Sequence, residues 1–194
     1  MNRRKLMVAS LAAAAALALA GCSDAGKSTS ATEVVSASQP LSMELLERSA
    51  SGFTVGQQMS TRTVYVFFDM QCPHCGHLWE AAKPLFPNVK FVWVPVGMLS
   101  RASIAQGATI LDSKDPVTAM NEHEASLAAQ RGGMPADSDA MSRLGDKVRA
   151  NSKLLESMNA HSVPYIVAKD PKTGAVITRE GALPTAELRT FLGL

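Results

Sequence analysis

The 194-residue sequence is poor in cysteine, with three residues, and poor in aromatic side chains, which make up 5% of the chain. Three cysteines are too few for a small fold held together by several disulfides, and 13 glycines are too few for collagen. The hydrophobic content of 46% excludes a chain that is disordered throughout. A chain of this length and composition instead predicts one domain of ordinary size with its own core.

The sequence also lacks a basic surface once its first residues are set aside. The whole chain has 19 basic and 17 acidic side chains, which gives a formal net charge of +2. Arg3, Arg4 and Lys5 precede the first acidic residue, so removal of residues 1–21 leaves 16 basic side chains against 17 acidic ones, a net charge of −1. This balance gives no reason to expect nucleic acid as a partner.

No hydrophobic run reaches the length of a membrane-spanning helix. The apolar stretch 6–20 has 15 residues, whereas a spanning helix needs about 20. The stretch follows basic residues and ends in LAGC at 19–22, which resembles the lipobox of bacterial lipoproteins. We therefore predict a signal peptide over residues 1–21 and lipid attachment at Cys22. The alternative is an ordinary secretory signal that leaves Cys22 as a free thiol.

Residues 22–40 are rich in Ser, Ala and Thr and show no apolar period. This composition is typical of a flexible tether, so we expect the folded domain to cover residues 41–194 and to stay close to a membrane. The expected compartment is the periplasm. Ser23 resembles the sorting pattern of outer-membrane lipoproteins, which favours the outer membrane over the inner one.

The folded part alternates strand and helix patterns. Buried strands are predicted over 63–68 and 89–96, because both runs are β-branched and aromatic without polar alternation. A helical insertion is predicted over about 100–160, with Asp115 as a helix cap. Shorter predicted elements are helices at 41–49, 73–85 and around 188–192, and strands at 52–56, 163–168 and 175–178. The order β-α-β, insertion, β-β-α predicts an α/β sheet covered by helices.

The motif Cys72-Pro73-His74-Cys75 lies where a predicted buried strand ends and a helix begins. Unpaired N–H groups and the positive end of the helix dipole stabilise a thiolate there, and the thiolate is the form that attacks disulfides. We therefore predict Cys72 as the nucleophile and Cys75 as the cysteine that resolves the mixed disulfide, so that the two form a redox-active disulfide. Pro73 and His74 are expected to tune the pair, with the His74 side chain adding a donor or a positive charge near the Cys72 sulfur.

The sequence also allows two other interpretations of the cysteine pair. The cysteines would also suit a structural disulfide or a metal site. A zinc site would need two more ligands, and His77, His123 and His161 show no second paired spacing. A metal-binding lipoprotein is therefore the alternative from another functional class.

The stretch FFDMQCPHC and the later SVPY at 162–165 resemble the thioredoxin superfamily, and within it the bacterial Dsb thiol–disulfide proteins. The resemblance covers residues 63–192 and is greatest to catalytic domains of the DsbG and DsbC type. It implies a thioredoxin-like fold with a helical insertion. It also implies a cis Pro164 that faces Cys72, and a Val163 backbone that pairs with the client chain.

The same resemblance implies a thiol:disulfide oxidoreductase that reduces, exchanges or isomerises disulfides, or acts on sulfenylated cysteines, of client proteins. It would need no cofactor and would exchange electrons with a membrane redox protein of the DsbD or DsbB type. The CPHC motif and Val163 are more similar to DsbA, so a disulfide oxidase is the alternative. About 23 residues between the tether and Thr63 are too few for the N-terminal dimerisation domain of DsbC and DsbG, so we expect a monomer.

Several side chains near the motif have expected roles that the structure can check. Asp69 is predicted as a turn or cap residue, with tuning of the cysteines as the alternative. His161 is expected on the surface, with a position beside the disulfide as the alternative. Trp79 is expected to pack against the first helix or to line a client groove. Glu122 and Glu124 are predicted to lie on a solvated helix face.

Overall fold

The structure is a computed structural model that describes residues 40–194. The predicted signal peptide, the lipid-attachment residue Cys22 and the tether up to residue 39 lie outside the described residues, and they stay predictions. Within the part of the chain that is described, no helix is both long enough and apolar enough to cross a membrane.

A five-stranded mixed sheet forms the centre of the fold. Its strands are β1 (Phe53–Gly56), β2 (Thr63–Asp69), β3 (Lys90–Val96), β4 (Tyr165–Lys169) and β5 (Val176–Glu180). Their spatial order is β1-β3-β2-β4-β5, with β2 and β3 parallel and the other neighbours antiparallel. The central strand β2 is buried from its second residue to its last, as its unbroken apolar run predicts.

Among residues 40–194, six α-helices cover this sheet. They are α1 (Met43–Ser49), α2 (Pro73–Ala82), α3 (Ser103–Asp112), α4 (Pro116–Ala128), α5 (Ser138–Ser157) and α6 (Thr185–Phe191). The helix α4 begins at the predicted cap, where the Asp115 carboxylate accepts the N–H of Thr118 at 3.0 Å. Helices α3 to α5 form the insertion. The predicted α/β fold, with a helical insertion between a β-α-β half and a β-β-α half, is confirmed.

Alternate side chains of β2 enter two hydrophobic cores, one on each face of the sheet. Val66 and Phe68 belong to the larger core, together with buried side chains of α2 and α6. Tyr65 and Phe67 belong to the smaller core, which α1 and α5 close. The strand that leads to the cysteine motif is therefore fixed on both faces, and the motif begins at a rigid point of the fold.

Trp79 of α2 belongs to the larger core. It is fully buried, and its ring centroid lies 5.0 Å from that of Trp93 in β3. Its indole N–H donates to the Asn121 side-chain oxygen at 2.8 Å, which ties α2 to α4. The packing role expected for Trp79 is what the structure shows. The other expected role, in a client groove, is wrong, because the core encloses the whole side chain.

Candidate active site

Cys72 is the N-cap residue of α2 and follows the short loop that leaves the central strand β2. Its backbone is extended, Pro73 occupies the first turn, and its sulfur accepts the backbone N–H of Cys75 at 3.3 Å. A sulfur thus takes the place of the oxygen that usually caps a helix. The first free N–H groups of α2 point at the atom that would carry the negative charge.

The surroundings of Cys72 favour its thiolate form. The thiol of Cys75 and the N–H groups of Cys75 and His74 lower the pKa of Cys72 to about 7, against the opposing effects of burial and of the Asp69 carboxylate. Cys75 is fully buried, and burial together with the nearby Cys72 sulfur raises its pKa. The geometry therefore favours Cys72 as the nucleophile and leaves Cys75 protonated near neutral pH.

The loop before β4 lies next to the Cys72 sulfur. The two cysteines are free thiols in the structure, and Cys72 is only 3% exposed. The Cys72 S–H group donates to the carbonyl oxygen of Val163 at 3.5 Å. The peptide bond between Val163 and Pro164 is cis, as the resemblance implied. The structure thus brings Cys72, Cys75, Val163 and Pro164 together.

Three of the four histidines are exposed. None of these three forms a hydrogen bond between its ring and the Cys72 sulfur. The rings of His74 and His77 lie edge to face, with centroids 5.8 Å apart. The group of His74 that lowers the pKa of Cys72 is its backbone N–H. The ring Nε2 of His161 forms a hydrogen bond of 3.2 Å with the side-chain oxygen of Asn159. His161 is exposed, as expected.

Asp69 anchors the loops beneath the motif. It is 1% exposed. Its carboxylate accepts four hydrogen bonds, from the N–H groups of Gln71 (2.8 Å), Met98 (2.7 Å) and Leu99 (2.9 Å) and from the hydroxyl of Ser103 (2.6 Å). The predicted role in a turn is therefore correct. The alternative also has support, because the charge of Asp69 raises the pKa of both cysteines.

His123 is a second anchor, although its sequence context suggested no role for it other than metal ligation. Its ring is fully buried, and Nδ1 accepts the N–H of Met134 at 2.9 Å. Nε2 therefore carries the proton and donates to the carbonyl of Met70 at 2.6 Å. With both ring nitrogens engaged, His123 connects α4 to the loop that precedes Cys72. Within residues 40–194, no group of three or more His, Cys, Asp or Glu side chains is placed to share a metal ion.

Glu124 differs from the prediction of a solvated helix face. Glu122 is exposed as predicted, but Glu124 is half-buried against α2. Gly76 makes this possible, since a Cβ at that position would collide with the Glu124 carboxylate. Burial is the main cause that raises the pKa of Glu124 to about 7, and the charges of Cys72 and Glu80 add to it.

A cavity of about 420 Å³ lies between α2 and α4, beside the cysteine motif. Its lining includes Pro73, Gly76, His77, Glu80 and Glu124. A larger cavity, of about 510 Å³, is lined by Thr63 at the start of β2 and Lys169 at the end of β4, and so lies at the opposite end of the sheet from the cysteines. Of these two cavities, the smaller one is adjacent to the cysteine motif.

Comparison with known sequences gives two relatives of the same name. The chain is 29% identical over 162 residues to the thiol:disulfide interchange protein DsbG of Pseudomonas aeruginosa, a match that covers 79% of this chain and 60% of that protein. It is 33% identical over 115 residues to the thiol:disulfide interchange protein DsbG of Escherichia coli, which covers 57% of this chain and 45% of that protein. The chain thus spans less than two thirds of the length of either relative. No family model matches it.

Comparison with solved structures gives thioredoxin-like proteins. Alpha-DsbA2 of Wolbachia pipientis superposes with a TM-score of 0.59 at 18% identity, over 77% of this chain and 91% of that one. The catalytic domain of Proteus mirabilis ScsC gives 0.56 at 16% identity, over 77% and 92%. DsbA2 of Pseudomonas aeruginosa gives 0.56 at 20% identity, over 71% and 90%. The predicted thioredoxin-like fold and the predicted resemblance are both confirmed: the chain has this fold and is similar in sequence to the DsbG thiol:disulfide interchange proteins.

Proposed function

We propose that this chain is a periplasmic thiol:disulfide oxidoreductase that uses Cys72 and Cys75 to reduce, exchange or isomerise disulfides of client proteins, or to reduce their sulfenylated cysteines. One observation carries the proposal. The Cys72 sulfur caps α2, accepts the N–H of Cys75 at 3.3 Å, and has a pKa of about 7. A sulfur with this pKa is about half thiolate at neutral pH, where an ordinary cysteine is almost fully protonated.

The proposed exchange uses the two sulfurs in turn. The Cys72 thiolate attacks one sulfur of the client disulfide, a mixed disulfide forms, and the other client sulfur leaves as a thiolate that takes up a proton. Cys75 then loses its proton and attacks the Cys72 sulfur, which releases the first client cysteine and leaves the Cys72–Cys75 disulfide. With a sulfenylated client, the first attack displaces the hydroxyl group, which leaves as water after protonation.

The loop at Val163 supports a mode of client binding. No hydrogen-bond partner is found for the Val163 N–H among residues 40–194, and its carbonyl oxygen lies 3.5 Å from the Cys72 sulfur. An extended client segment can pair with this backbone as an added strand, which would bring a client cysteine to Cys72. Pro73 and His74 are exposed beside the sulfur and would contact the same segment.

The proposed activity is the reduction or isomerisation of client disulfides, not their formation. A more stable thiolate makes the disulfide more oxidising, because it stabilises the reduced form. The pKa of about 7 for Cys72 equals the value of about 7 that is typical of thioredoxin and lies well above the value of about 3.5 for DsbA. This comparison favours reduction or isomerisation over the oxidase alternative, which rests on the CPHC motif. The equilibrium of the pair with glutathione distinguishes the two directions.

Trapping of the mixed disulfide tests the proposal. The variant Cys75→Ala cannot resolve the intermediate, so it should accumulate covalent adducts with periplasmic client proteins that disappear on reduction. The double variant with Cys72→Ala is the control and should form none. Absence of adducts in the single variant, with the variant folded and Cys72 reactive towards an alkylating reagent, would show that exchange is not its activity.

The proposed location rests on the sequence before residue 40. Lipid attachment at Cys22, an outer-membrane position and electron supply by a membrane redox protein of the DsbD type belong to this proposal, as does a monomeric state. Cys22→Ser should abolish incorporation of a labelled fatty acid and release the protein into the soluble periplasmic fraction. Unchanged labelling in this variant would contradict lipid attachment at Cys22. It would not bear on the proposed redox activity.

A further inference from the structure

Glu124 places a carboxylate next to the first turn of α2. Gly76 follows Cys72 by four positions, and its N–H lies 3.3 Å from the Cys72 carbonyl oxygen. One turn of an α-helix rises about 5.4 Å, so Gly76 lies one turn beyond the sulfur-bearing residue. The Glu124 carboxylate occupies the space that the missing side chain of Gly76 leaves.

Packing does not account for this carboxylate. Among residues 40–194, Glu124 has no hydrogen-bond partner and no ion-pair partner, in contrast to Asp69 with its four donors. Glu80, whose charge contributes to the raised pKa of Glu124, is itself paired with Lys83 at 2.6 Å. Half-burial of a charged group without a donor disfavours folding. Apart from the favourable charge of Lys83, the described contacts give the Glu124 carboxylate no stabilising partner.

We propose that Glu124 is a positioning residue of the redox site, whose charge disfavours the Cys72 thiolate and so keeps the Cys72–Cys75 disulfide less oxidising than a neutral side chain would. The inference rests on the proposed function, since it concerns the same pair of cysteines. The Glu124 carboxylate lies beside Gly76, one helical turn from Cys72, and a negative charge there repels the Cys72 thiolate. Only the reduced protein has the thiolate, so the repulsion raises the free energy of the reduced form and favours the disulfide.

Electrostatic coupling between two ionising groups is reciprocal, so an effect of Cys72 on Glu124 implies an equal effect of Glu124 on Cys72. The charge of Cys72 is the second cause, after burial, that raises the pKa of Glu124. When Cys72 ionises, Glu124 therefore tends to bind a proton, and the two groups titrate as a coupled pair. The other charged or titratable groups that face Glu124 are Glu80 and Lys83, which pair with each other, and His77, which lines the same cavity.

The variant Glu124→Gln tests the proposal in the reduced protein. The thiolate absorbance of Cys72 should rise at lower pH than in the wild type. The pH range over which this absorbance rises should narrow to that of a single titrating group. The equilibrium constant between the protein disulfide and glutathione should change about fivefold towards a more oxidising disulfide. That change corresponds to about 20 mV, at 29.6 mV for each tenfold change.

Three further variants separate charge from structure. Glu122→Gln removes the same charge from an exposed position of the same helix and should behave as the wild type. Glu124→Asp keeps the charge on a shorter side chain and should lie between the wild type and Glu124→Gln. Gly76→Ala leaves every charge in place, but its new Cβ displaces the carboxylate, so it should shift both readouts in the same direction as Glu124→Gln.

The outcomes distinguish the two proposals. A wild-type titration and a wild-type glutathione constant in folded Glu124→Gln or Gly76→Ala would overturn the role of Glu124, and so would an equal shift in Glu122→Gln. If the wild-type pair does not exchange with glutathione at all, the proposed function fails. The thiolate titration still reports on Glu124 in that case, because it needs no exchange partner.

Discussion

The imidazole of His123 and the carbonyl of Met70 are joined by a hydrogen bond of 2.6 Å beneath the loop that carries Cys72. The other ring nitrogen accepts the N–H of Met134, so the ring is held in its neutral form and can bind a second proton only by losing that bond. Gln106 reinforces the same region, since its side-chain amide donates to the carbonyl of Met134 at 2.7 Å. The helical insertion thus supports the loop that carries Cys72.

This arrangement predicts that acid destabilises the protein. Burial lowers the pKa of His123 below its ordinary value of about 6.5. As the pH falls through about 6.5, the unfolded chain binds a proton that the folded protein excludes, so the free energy of unfolding decreases down to the folded pKa. Urea unfolding at about pH 7.5 and at about pH 5 measures the loss. The glutamine of His123→Gln does not titrate, so the free energy of unfolding of this variant should decrease less over this pH range than that of the exposed control His161→Gln. Equal losses would contradict the role of His123.

The position of His123 was predictable from helical periodicity, but its partners were not. Met120 is buried and Leu127 is half-buried on α4, and His123 lies three residues after the first and four before the second, which places it on the same face. Met70, however, is 53 positions away in the chain. A hydrogen bond over that separation depends on the packing of α4 against the active-site loop, which no local pattern contains.

The other differences between prediction and structure have the same origin. The sequence predicts the order of strands and helices well, because apolar runs and caps such as Asp115 are local. The prediction that Glu124 lies on the solvated face was wrong. The space that its carboxylate occupies exists because Gly76, on a different helix, has no side chain. The cis bond before Pro164 followed only from the resemblance, since about 5–6% of such bonds are cis in folded proteins. Residue type and spacing predicted Cys72 and Cys75 as the candidate pair, but not the groups that surround them.

Asp69→Asn should destabilise the fold. An amide presents one oxygen and one NH₂ group, so it cannot accept all four hydrogen bonds that the carboxylate accepts. At least one buried donor is left unpaired, and we expect a loss of about 2–3 kcal/mol in the free energy of unfolding, measured in urea. Asp146→Asn is the matched control, because the Asp146 side chain is 99% exposed, and it should show no measurable change. Equal stability of the two variants would contradict the anchoring role.

Asn151→Ala should lower stability without changing the redox chemistry. The Asn151 side chain on α5 is fully buried and bonds to the N–H and carbonyl of Ser51 and to the carbonyl of Pro95. Its removal leaves these groups unpaired, at an expected loss of about 2–4 kcal/mol. The site at Cys72 makes no contact with this network through a hydrogen bond, so the glutathione equilibrium should stay at the wild-type value. A shifted equilibrium would show that α5 influences the cysteines.

Cys75 has an effect separate from its proposed role as the resolving cysteine, because its thiol is the largest single cause of the lowered pKa of Cys72. Cys75→Ala removes this donor and leaves only backbone N–H groups at the sulfur. We expect the pKa of Cys72 to rise above about 7, so that alkylation at about pH 6 slows by about threefold to tenfold, since each pKa unit changes the thiolate fraction tenfold below the pKa. The pH dependence of iodoacetamide labelling measures the change.

Cys75→Ser is the comparison that separates the donor from the backbone. Its hydroxyl can donate to the Cys72 sulfur from a similar position, so its labelling profile should stay closer to that of the wild type than the Cys75→Ala profile does. Both variants contain a single cysteine at the motif, and Cys22→Ser in the background of each leaves Cys72 as the one thiol of the chain, so the labelling reports Cys72 alone. Identical profiles for Ala and Ser, both at the wild-type midpoint, would assign the lowered pKa to the N–H groups at the start of α2 and not to the Cys75 thiol.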